Sequence, residues 1–468
     1  MWRYARIITA SLGMFLGALD ITVNVALPIM TRDLGTDVQT IQWVIVLYVG
    51  LATALQLGMG PAADRFGVRR FYLLGIGIYG LAVLLIGLVP DLAWLLGLRL
   101  LQAVGFALLL ATGPALVALL VPRAERGAAF GLMVGMGTLG GIAGSLIGGL
   151  LVDEWGWRAA FVLRVPVCIL ALVLGLALLP RDAPVVEKLA GEEPGPGFDV
   201  YGAIYQGIAV GAFVIGLTLL GRDGWSDPVV LSVSALCALA VVLFIRNERR
   251  VAKPLIELSL LQNPLLVLIV AAGFTNSFAT FTMMFLFPFF VTDIMGEGAL
   301  VLGGLIMTTN LAAAVAAPIG GWLADRVSDA LLATLSLLVG TGALAWFSAF
   351  DASYVWQDAV LPHIVLGVSL GVFPACSSSM VMNNIPIDRV ATGSSILALS
   401  RSLGLTASVA VLSALFATLR ARYGVSMSEP DAFVLAFRHV YWVATGISVV
   451  SVVLGGLCLV QKTRVVSA

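Results

Sequence analysis

The sequence contains little charge. Acidic and basic residues together make up 11% of its 468 residues, with 26 of each sign, so the formal net charge is zero. A typical soluble domain carries about 25% charged residues. Most of the surface of this protein must therefore face something other than water. The lack of net positive charge also argues against a nucleic-acid partner.

Cysteine and histidine are scarce as well. The four cysteines lie in separate apolar runs: Cys168, Cys237, Cys376 and Cys458. This placement predicts inert packing residues, not a disulfide framework or a thiolate metal site. The two histidines, His363 and His439, have no second ligand at helical spacing, which argues against haem or metal chemistry. No P-loop pattern is present for direct use of ATP. We therefore predict that the protein is not an enzyme and that it needs no cofactor or metal.

Apolar residues dominate the sequence, with a share of 60% and a mean hydropathy of +1.05. A run of about 20 such residues spans the hydrocarbon core of a bilayer. Fourteen runs bounded by proline, glycine or charge predict fourteen transmembrane helices. They cover residues 7–30, 40–62, 71–90, 92–121, 127–152, 158–180, 200–221, 229–245, 264–292, 299–323, 330–350, 358–382, 391–418 and 436–460. No small-residue cleavage pattern follows the first run, so we expect a retained helix and not a signal peptide.

The basic residues of the short loops predict the orientation. An even number of spans puts both termini on one side of the membrane. With the termini inside, the inner segments hold seventeen basic residues and the outer segments hold six. Because positive charge is enriched in cytoplasmic loops, we expect both termini in the cytoplasm of a bacterial-type plasma or inner membrane. We expect a monomer surrounded by the lipid bilayer.

Two loop sequences recur along the chain. Asp64-Arg65 closes the second span, and Asp325-Arg326 closes the tenth, 261 positions later. Pro122–Arg126 after the fourth span is repeated in Pro386–Arg389 after the twelfth, at a nearly equal offset. Two repeats at nearly one offset indicate two related six-helix halves, an organisation by which many transporters build a central site open alternately to each side. We therefore predict an all-α membrane protein with two six-helix bundles and two inserted central helices.

The predicted domains follow from this repeat. The stretch from Arg181 to Asp199 is rich in Pro, Gly and Glu, as flexible linkers are. The predicted boundaries are 1–180 for the N-terminal bundle, 181–199 for a cytoplasmic linker, 200–246 for two inserted helices, 247–263 for a cytoplasmic loop and 264–468 for the C-terminal bundle.

Four motifs resemble those of the major facilitator superfamily, and within it the fourteen-helix drug:proton antiporters of the multidrug efflux type. They are Leu19–Pro28 in the first helix, Gly60–Arg70 between helices 2 and 3, Arg99–Gly105 in helix 4 and Gly140–Gly149 in helix 5. Ser145 stands where the family usually has proline, and Arg164 where it usually has asparagine. The resemblance implies the superfamily fold, and an exchange of substrate for protons in which Arg99 takes part in proton coupling.

Two buried charges are the candidates for that coupling. A carboxylate at the bilayer centre costs about 2.5–3.5 kcal/mol, so such groups usually face an aqueous cavity and serve a function. Asp20 is the only acid deep in a predicted span. We predict that Asp20 gains and loses the coupling H⁺, and that Arg99 tunes this or another neighbouring acid. The alternatives are a structural carboxylate that fastens helices together, and an Arg99 held by backbone carbonyls.

Other polar residues within the spans are candidates for the substrate cavity. They are Thr22, Asn24, Gln102, Asn276, Thr280, Asn310 and Arg401. The resemblance favours a structural or gating role for Arg401. We expect Arg164, near a helix end, to extend outward to the membrane surface. If both arginines line the cavity, an anionic or zwitterionic amphiphile fits better than a cationic drug. Four phenylalanines form a stripe opposite Asn276 and Thr280: Phe274, Phe278, Phe281 and Phe285. We expect this stripe to contact lipid or neighbouring helices. The alternative is that it lines a hydrophobic substrate site.

Two further groups have candidate mechanical roles. Loop charges can latch the inner side through helix dipoles and bridges between the halves, or can reflect topology alone. This predicted latch comprises Gly60, Asp64, Arg65, Gly67, Arg69, Arg70, Asp325 and Arg326. The helix-5 motif, in which small residues allow close helix approach, comprises Gly140, Gly144, Ser145, Gly148 and Gly149. Packing and gating are both open as roles for these glycines.

Together these features predict a proton-coupled secondary active transporter that exports a small amphipathic molecule, such as a drug, toxin or lipid-like compound, by alternating access. The alternative is a facilitator, or a transporter of lipids or anionic amphiphiles, on the same fold without obligatory proton antiport.

Overall fold

The structure, a computed structural model, describes residues 2–122, 125–180, 199–224, 226–251, 254–324, 326–385 and 390–467. In these ranges it contains fourteen helical spans long and apolar enough to cross a membrane. The prediction of an all-α protein with fourteen transmembrane helices is confirmed. The predicted linker lies outside the described residues except for Asp199, as do Asp325 and the loop copy at 386–389.

The first six spans contain nine helices, because two spans are broken and a short helix precedes the second span. They are α1 (Trp2–Ala18), α2 (Ile21–Asp33), α3 (Val38–Ile41), α4 (Trp43–Phe66), α5 (Val68–Ile86), α6 (Leu92–Leu120), α7 (Arg126–Trp155), α8 (Ala159–Val162) and α9 (Arg164–Leu178).

The inserted helices and the second half follow. They are α10 (Val200–Asp223), α11 (Pro228–Glu248), a 3₁₀ turn (Leu258–Gln262), α12 (Pro264–Phe289) continued by a π-helical turn (Phe290–Ile294), α13 (Ala299–Ala324), α14 (Asp329–Phe347), α15 (Trp356–Asn384), α16 (Val390–Gly424) and α17 (Glu429–Ser467).

The described residues cluster into two compact units. The first comprises Met1–Thr36, Trp43–Phe213 and Ser232–Leu255, and the second comprises Asp37–Gln42, Val214–Leu231 and Ile256–Ala468. In the first unit α1 packs against α7 and α9, α4 against α6, and α5 against α6 and α9. In the second α12 packs against α16 and α17, α13 against α15, and α14 against α15 and α17. Counted by span, these are the same pairs in each half, so the two related bundles inferred from the loop repeats are confirmed.

The start of the last helix differs from its prediction. The helix begins at Glu429 and not at residue 436. The prediction missed its first turn because that turn is polar and precedes the apolar run. The amide of Asp431 donates to the Ser428 hydroxyl at 3.4 Å, and the acidic side chains of Glu429 and Asp431 lie in the first turn. A hydroxyl before a helix and acids in its first turn are the usual stabilising features of a helix start.

Apolar side chains cover the outer surface. In α11 only 11% of the most apolar stretch is buried within the protein, and Val229, Leu231 and Val242 are more than half exposed. A monomeric soluble protein rarely exposes an apolar surface of this extent. The hydrocarbon of a bilayer is the solvent in which these side chains are stable, and this surface agrees with a multi-pass membrane protein.

Candidate functional site: a buried carboxylate shared by two arginines

The first span is broken at Leu19 and Asp20, between α1 and α2. The amide of Asp20 donates to the Gly17 carbonyl at 3.2 Å, and the amide of Thr22 donates to the Leu19 carbonyl at 3.1 Å. These bonds reach back three residues, whereas an α-helix reaches back four. The tighter turn interrupts the regular α-helical bonds at the acidic residue, and it leaves carbonyls that need other donors.

Side chains from other helices supply those donors. The Tyr79 hydroxyl of α5 donates to the Leu16 carbonyl at 3.2 Å. The Leu19 carbonyl accepts from the Thr22 hydroxyl at 2.7 Å and from Arg164 Nη2 at 3.2 Å. Because backbone polar groups at membrane depth must be satisfied within the protein, these contacts stabilise the break.

The Asp20 carboxylate is held by three side chains. Arg99 Nη1 and Nη2 lie 3.0 and 3.2 Å from the two carboxylate oxygens, a bidentate arrangement. Arg164 Nη1 lies 2.8 Å from Oδ1, and Gln102 Nε2 donates to the same oxygen at 3.3 Å. The group contains one carboxylate and two guanidiniums, which gives a formal charge of −1 + 2 = +1. We call Asp20, Arg99 and Arg164 the buried ion cluster.

Arg99 contacts both an acid and a backbone carbonyl, the two alternative partners that the sequence analysis left open. Besides Asp20, its Nε donates to the Val44 carbonyl at 2.8 Å, and its Nη1 donates to Gln102 Oε1 at 2.8 Å. The guanidinium lies 4.1 Å from the centre of the Tyr48 ring, where a cation–π attraction operates. Its side chain is fully buried, so these contacts replace the water that the charge would otherwise require.

The expectation that Arg164 extends outward to the membrane surface is wrong. Its side chain is fully buried, and its guanidinium points at Asp20 and lies 5.3 Å from the Phe161 ring. The expectation used only the distance from the helix end. It could not include the attraction of a carboxylate on another part of the chain. This attraction holds the guanidinium inside the protein, because the two groups are adjacent in the fold. The departure from the family's usual asparagine was the one signal that this position is unusual.

The glycines of the helix-5 motif lie against the broken span. An added Cβ would lie 2.4 Å from the Phe15 carbonyl oxygen at Gly140, 3.0 Å from Leu19 Cα at Gly144 and 2.3 Å from Thr22 Cγ2 at Gly148. The motif therefore brings α7 into direct contact with the backbone of α1 and Leu19 and with the Thr22 side chain of α2.

Thr22 and Ser145 are enclosed by this packing. The Thr22 side chain is fully buried, with its hydroxyl 2.9 Å from the Gly144 carbonyl, so the side chain predicted for the cavity lies in a helix interface. The Ser145 hydroxyl donates to the Gly141 carbonyl at 2.9 Å, and α7 continues through Ser145 without a break. Gly149 is buried as well.

The other cavity candidates are distributed over both units. Asn24 on α2 and Asn310 on α13 are partly exposed. On α12, Asn276 and Thr280 are buried, and the Thr280 hydroxyl donates to the Asn276 carbonyl at 2.8 Å. The phenylalanines of the predicted stripe on the same helix are buried or partly buried: Phe274, Phe278, Phe281 and Phe285. Their role, like that of the cavity residues, stays a prediction.

The predicted latch has contacts within the first unit. Gly67 has a φ of +108° between α4 and α5, a conformation that glycine adopts without strain. Arg69 Nη2 donates to the Leu176 carbonyl of α9 at 3.0 Å, so this contact of Arg69 lies in its own half and not across the two halves. Arg65 and Arg70 are exposed, and a Cβ at Gly60 would meet open space.

The second half of the predicted latch is less completely described. Arg326 stacks over the Trp322 ring at 3.8 Å, a contact within its own helix end. Asp325 and the side chain of Asp64 lie outside the described residues. The latch therefore stays a prediction.

Comparison with known proteins identifies the family. The sequence profile of the Major Facilitator Superfamily matches residues 10–409. The chain belongs to the major facilitator superfamily. It is a membrane transporter of small molecules and not an enzyme.

Its relatives include drug-efflux proteins. The chain is 30% identical over 419 residues to the multidrug resistance protein Stp of Mycobacterium tuberculosis (strain CDC 1551 / Oshkosh), covering 88% of this chain and 75% of that protein. It is 26% identical over 453 residues to the riboflavin transporter RibZ of Clostridioides difficile (strain 630), covering 97% and 96%. The crystal structure of the POT family transporter PepTSo matches with a TM-score of 0.72 at 14% identity, covering 99% of each chain, which shows likeness of fold.

Proposed function

We propose that the protein is a proton-coupled exporter of a small amphipathic molecule, and that Asp20 carries the coupling H⁺. The observation that supports this is the buried ion cluster, in which one carboxylate at membrane depth is shared by two fully buried arginines. A buried group that changes charge alters the stability of everything packed around it. The carboxylate therefore has the means to bias one conformation of the transporter against another.

The proposed coupling follows from the charge of the cluster. In the described arrangement both guanidiniums depend on the negative charge of Asp20. Protonation of Asp20 would leave two buried cations facing a neutral group, and this arrangement would lose much of its stability. The helices that carry Arg99 and Arg164 would then favour a conformation in which the guanidiniums have other partners. Loss of the proton would restore the arrangement, so protonation and conformation are linked.

The driving force is sufficient for export. One elementary charge crossing 100 mV supplies about 2.3 kcal/mol. Each unit of pH difference adds about 1.4 kcal/mol. The name of Stp supports multidrug export as the activity, and that of RibZ supports a planar heterocycle as another substrate.

The rival function is transport without obligatory proton exchange. The same cluster can instead be a static support for the break at Asp20, because Arg164 donates to the Leu19 carbonyl and forms an ion pair with the Asp20 carboxylate. A static support would be needed for folding and would not link transport to pH.

We also propose the finer features of location and mechanism. Both termini lie in the cytoplasm of a bacterial plasma membrane, and the monomer transports its substrate. The loop from Gly60 to Arg70, together with Asp325-Arg326, latches the inner side while the outer side is open.

Flux measurements in proteoliposomes test the coupling. Riboflavin and the anionic dye sulforhodamine B, both fluorescent, serve as probes, and their movement is followed with and without an imposed pH gradient. We expect the gradient to drive transport by the natural protein, and Asp20→Asn to move the probes only down their own gradient. Asp91→Asn is the matched control, because Asp91 caps α6 with an exposed side chain and an amide oxygen can replace that cap.

Retained response to the pH gradient in Asp20→Asn would contradict the proposal and favour the rival function. Both variants must first be found in the membrane fraction in amounts equal to the natural protein.

A further inference from the structure

Arg401 is a buried cation in the second unit. It lies on α16, nine residues beyond the start of the span Thr392–Gly424, which places it about 14 Å along the helix at 1.5 Å per residue. This position is within the hydrocarbon depth of the membrane. Its side chain is partly exposed, so a molecule of suitable size can reach the guanidinium.

The guanidinium has few partners. Its Nη2 donates to the Ser377 hydroxyl of α15 at 2.5 Å, and the group lies 6.0 Å from the Phe373 ring. Its Nε is buried without a hydrogen-bond partner. Among the residues that the structure describes, no carboxylate lies within ion-pair distance of Arg401. Arg99 and Arg164 of the first unit, in contrast, share Asp20.

The Ser377 hydroxyl is fixed for an acceptor role. It donates its own hydrogen to the Phe373 carbonyl at 2.7 Å, so its lone pairs face the guanidinium. Ser377 is fully buried, and it holds one edge of the Arg401 guanidinium in place. The rest of the planar group is held in position, but its remaining N–H donors have no hydrogen-bond acceptor among the described residues.

A second unsatisfied polar group lies on α12, the helix against which α16 packs. Gly273 of α12 faces Arg401, with a position for Cβ 3.6 Å from Arg401 Cγ. Asn276 is one turn further along the same side of α12, and it is 4% exposed. Its side-chain oxygen has no hydrogen-bond partner. The aliphatic part of Arg401 therefore packs against Gly273, and the unsatisfied acceptor of Asn276 lies one turn further along α12.

We propose that Arg401, positioned by Ser377, binds the oxyanion of an amphipathic substrate, such as a carboxylate, sulfonate or phosphate ester. An oxyanion supplies the charge and the acceptors that the guanidinium lacks, and a guanidinium matches its geometry. The inference rests on the proposed export function and extends it, because it makes the preferred substrate anionic or zwitterionic.

Binding of two matched fluorescent probes tests the site. Anilinonaphthalene sulfonate and N-phenyl-1-naphthylamine share one aromatic skeleton, and only the first carries a sulfonate. Their affinities are measured for the purified full chain in phosphatidylcholine nanodiscs at one pH. We expect Arg401→Gln to weaken sulfonate binding by about tenfold or more, as loss of a charge-assisted hydrogen bond does, and to change naphthylamine binding by less than about twofold.

Arg422→Gln is the control, because Arg422 is exposed on the same helix. It should change neither affinity. If Arg401→Gln does not fold, Arg401→Lys is measured instead. It keeps the charge without the planar donors, and should still lower the ratio of sulfonate to naphthylamine affinity.

An unchanged ratio of the two affinities in the Arg401 variants would overturn the site. The substrate assignment would also be overturned if phosphatidylglycerol in the nanodiscs abolished the difference between the natural protein and the variant, since a lipid headgroup would then occupy Arg401. The measurement uses no pH gradient, so it can fail while proton coupling holds, and it can succeed while coupling fails.

Discussion

The two halves of the transporter share their packing and differ in their buried charge. In the first half Gly140 of α7 approaches the Phe15 carbonyl, where an added Cβ would lie 2.4 Å away. In the second half Gly404 of α16 approaches the Phe274 carbonyl, where the distance would be 2.3 Å. The fifth span of each half therefore lies against the first span through a glycine. The repeated feature is the helix contact on which the fold depends.

The buried charges are not repeated. The first half holds a carboxylate between two arginines, and the described part of the second half holds Arg401 without a carboxylate in contact. Because unsatisfied charge at membrane depth is costly, an asymmetric arrangement of this kind indicates function. The two proposals assign this difference to a division of roles, in which one half responds to protons and the other holds an anionic group.

Removal of the carboxylate is the strongest test of this comparison. Asp20→Ala leaves the two arginines of the buried ion cluster without their acid, and we expect a loss of about 3–5 kcal/mol in the free energy of unfolding. The measurement is unfolding by sodium dodecyl sulfate from mixed micelles. Glu125→Ala is the control, because Glu125 pairs with Arg3 at 3.0 Å on the surface, where a pair contributes about 1 kcal/mol or less. Equal losses in the two variants would contradict a special role for the buried pair.

Addition of a methyl group at the repeated glycine contact should give a smaller effect, equal in the two halves. We expect Gly140→Ala and Gly404→Ala each to cost about 1–3 kcal/mol, because the new Cβ would overlap a backbone carbonyl oxygen of the neighbouring helix. Gly77→Ala on α5 is the control, since its Cβ would meet no atom within 4 Å. It should leave stability unchanged or raise it by roughly 0.5–1 kcal/mol. A loss in only one half would show that the packing is not equivalent.

Removal of the charge in the second half should have the smallest effect on stability. Arg401→Gln removes a guanidinium that pairs with no carboxylate of the described ranges, so we expect the free energy of unfolding to change by about 1 kcal/mol or less. The same unfolding measurement applies, with Arg422→Gln as the control. A loss as large as that of Asp20→Ala would mean that Arg401 is structural, in contrast with its proposed role in binding.

The fold was largely predictable from the sequence because membrane insertion depends on local composition. Apolar runs of sufficient length gave the number of spans, and the copy of Asp64-Arg65 at Asp325-Arg326 gave the two halves. The ends of the runs were less predictable. The polar first turn at Glu429 is helical, and the single run over residues 7–30 contains a break at Asp20. Both features depend on specific hydrogen bonds, which the composition of a segment does not predict.

The candidate site was predictable only in part. Asp20 and Arg99 were identified because a charge deep in an apolar span is rare, and Gln102 because it lies one turn from Arg99. Arg164 was placed wrongly, since the sequence gave its depth and not its partner on another helix. Thr22 was predicted to line a cavity, and the structure places it between helices, where its side chain meets Gly148.

By itself, the sequence of this protein determined how many times the chain crosses the membrane, that its halves are related, and which residues are too polar for lipid. These properties depend on the free energy of transferring each segment from water into hydrocarbon. That free energy is close to the sum of the contributions of the residues in the segment. Only the tertiary structure decided which charges meet. The contact of Asp20 with both Arg99 and Arg164, and that of Arg401 with Ser377, depend on the packing of helices that are distant in the sequence.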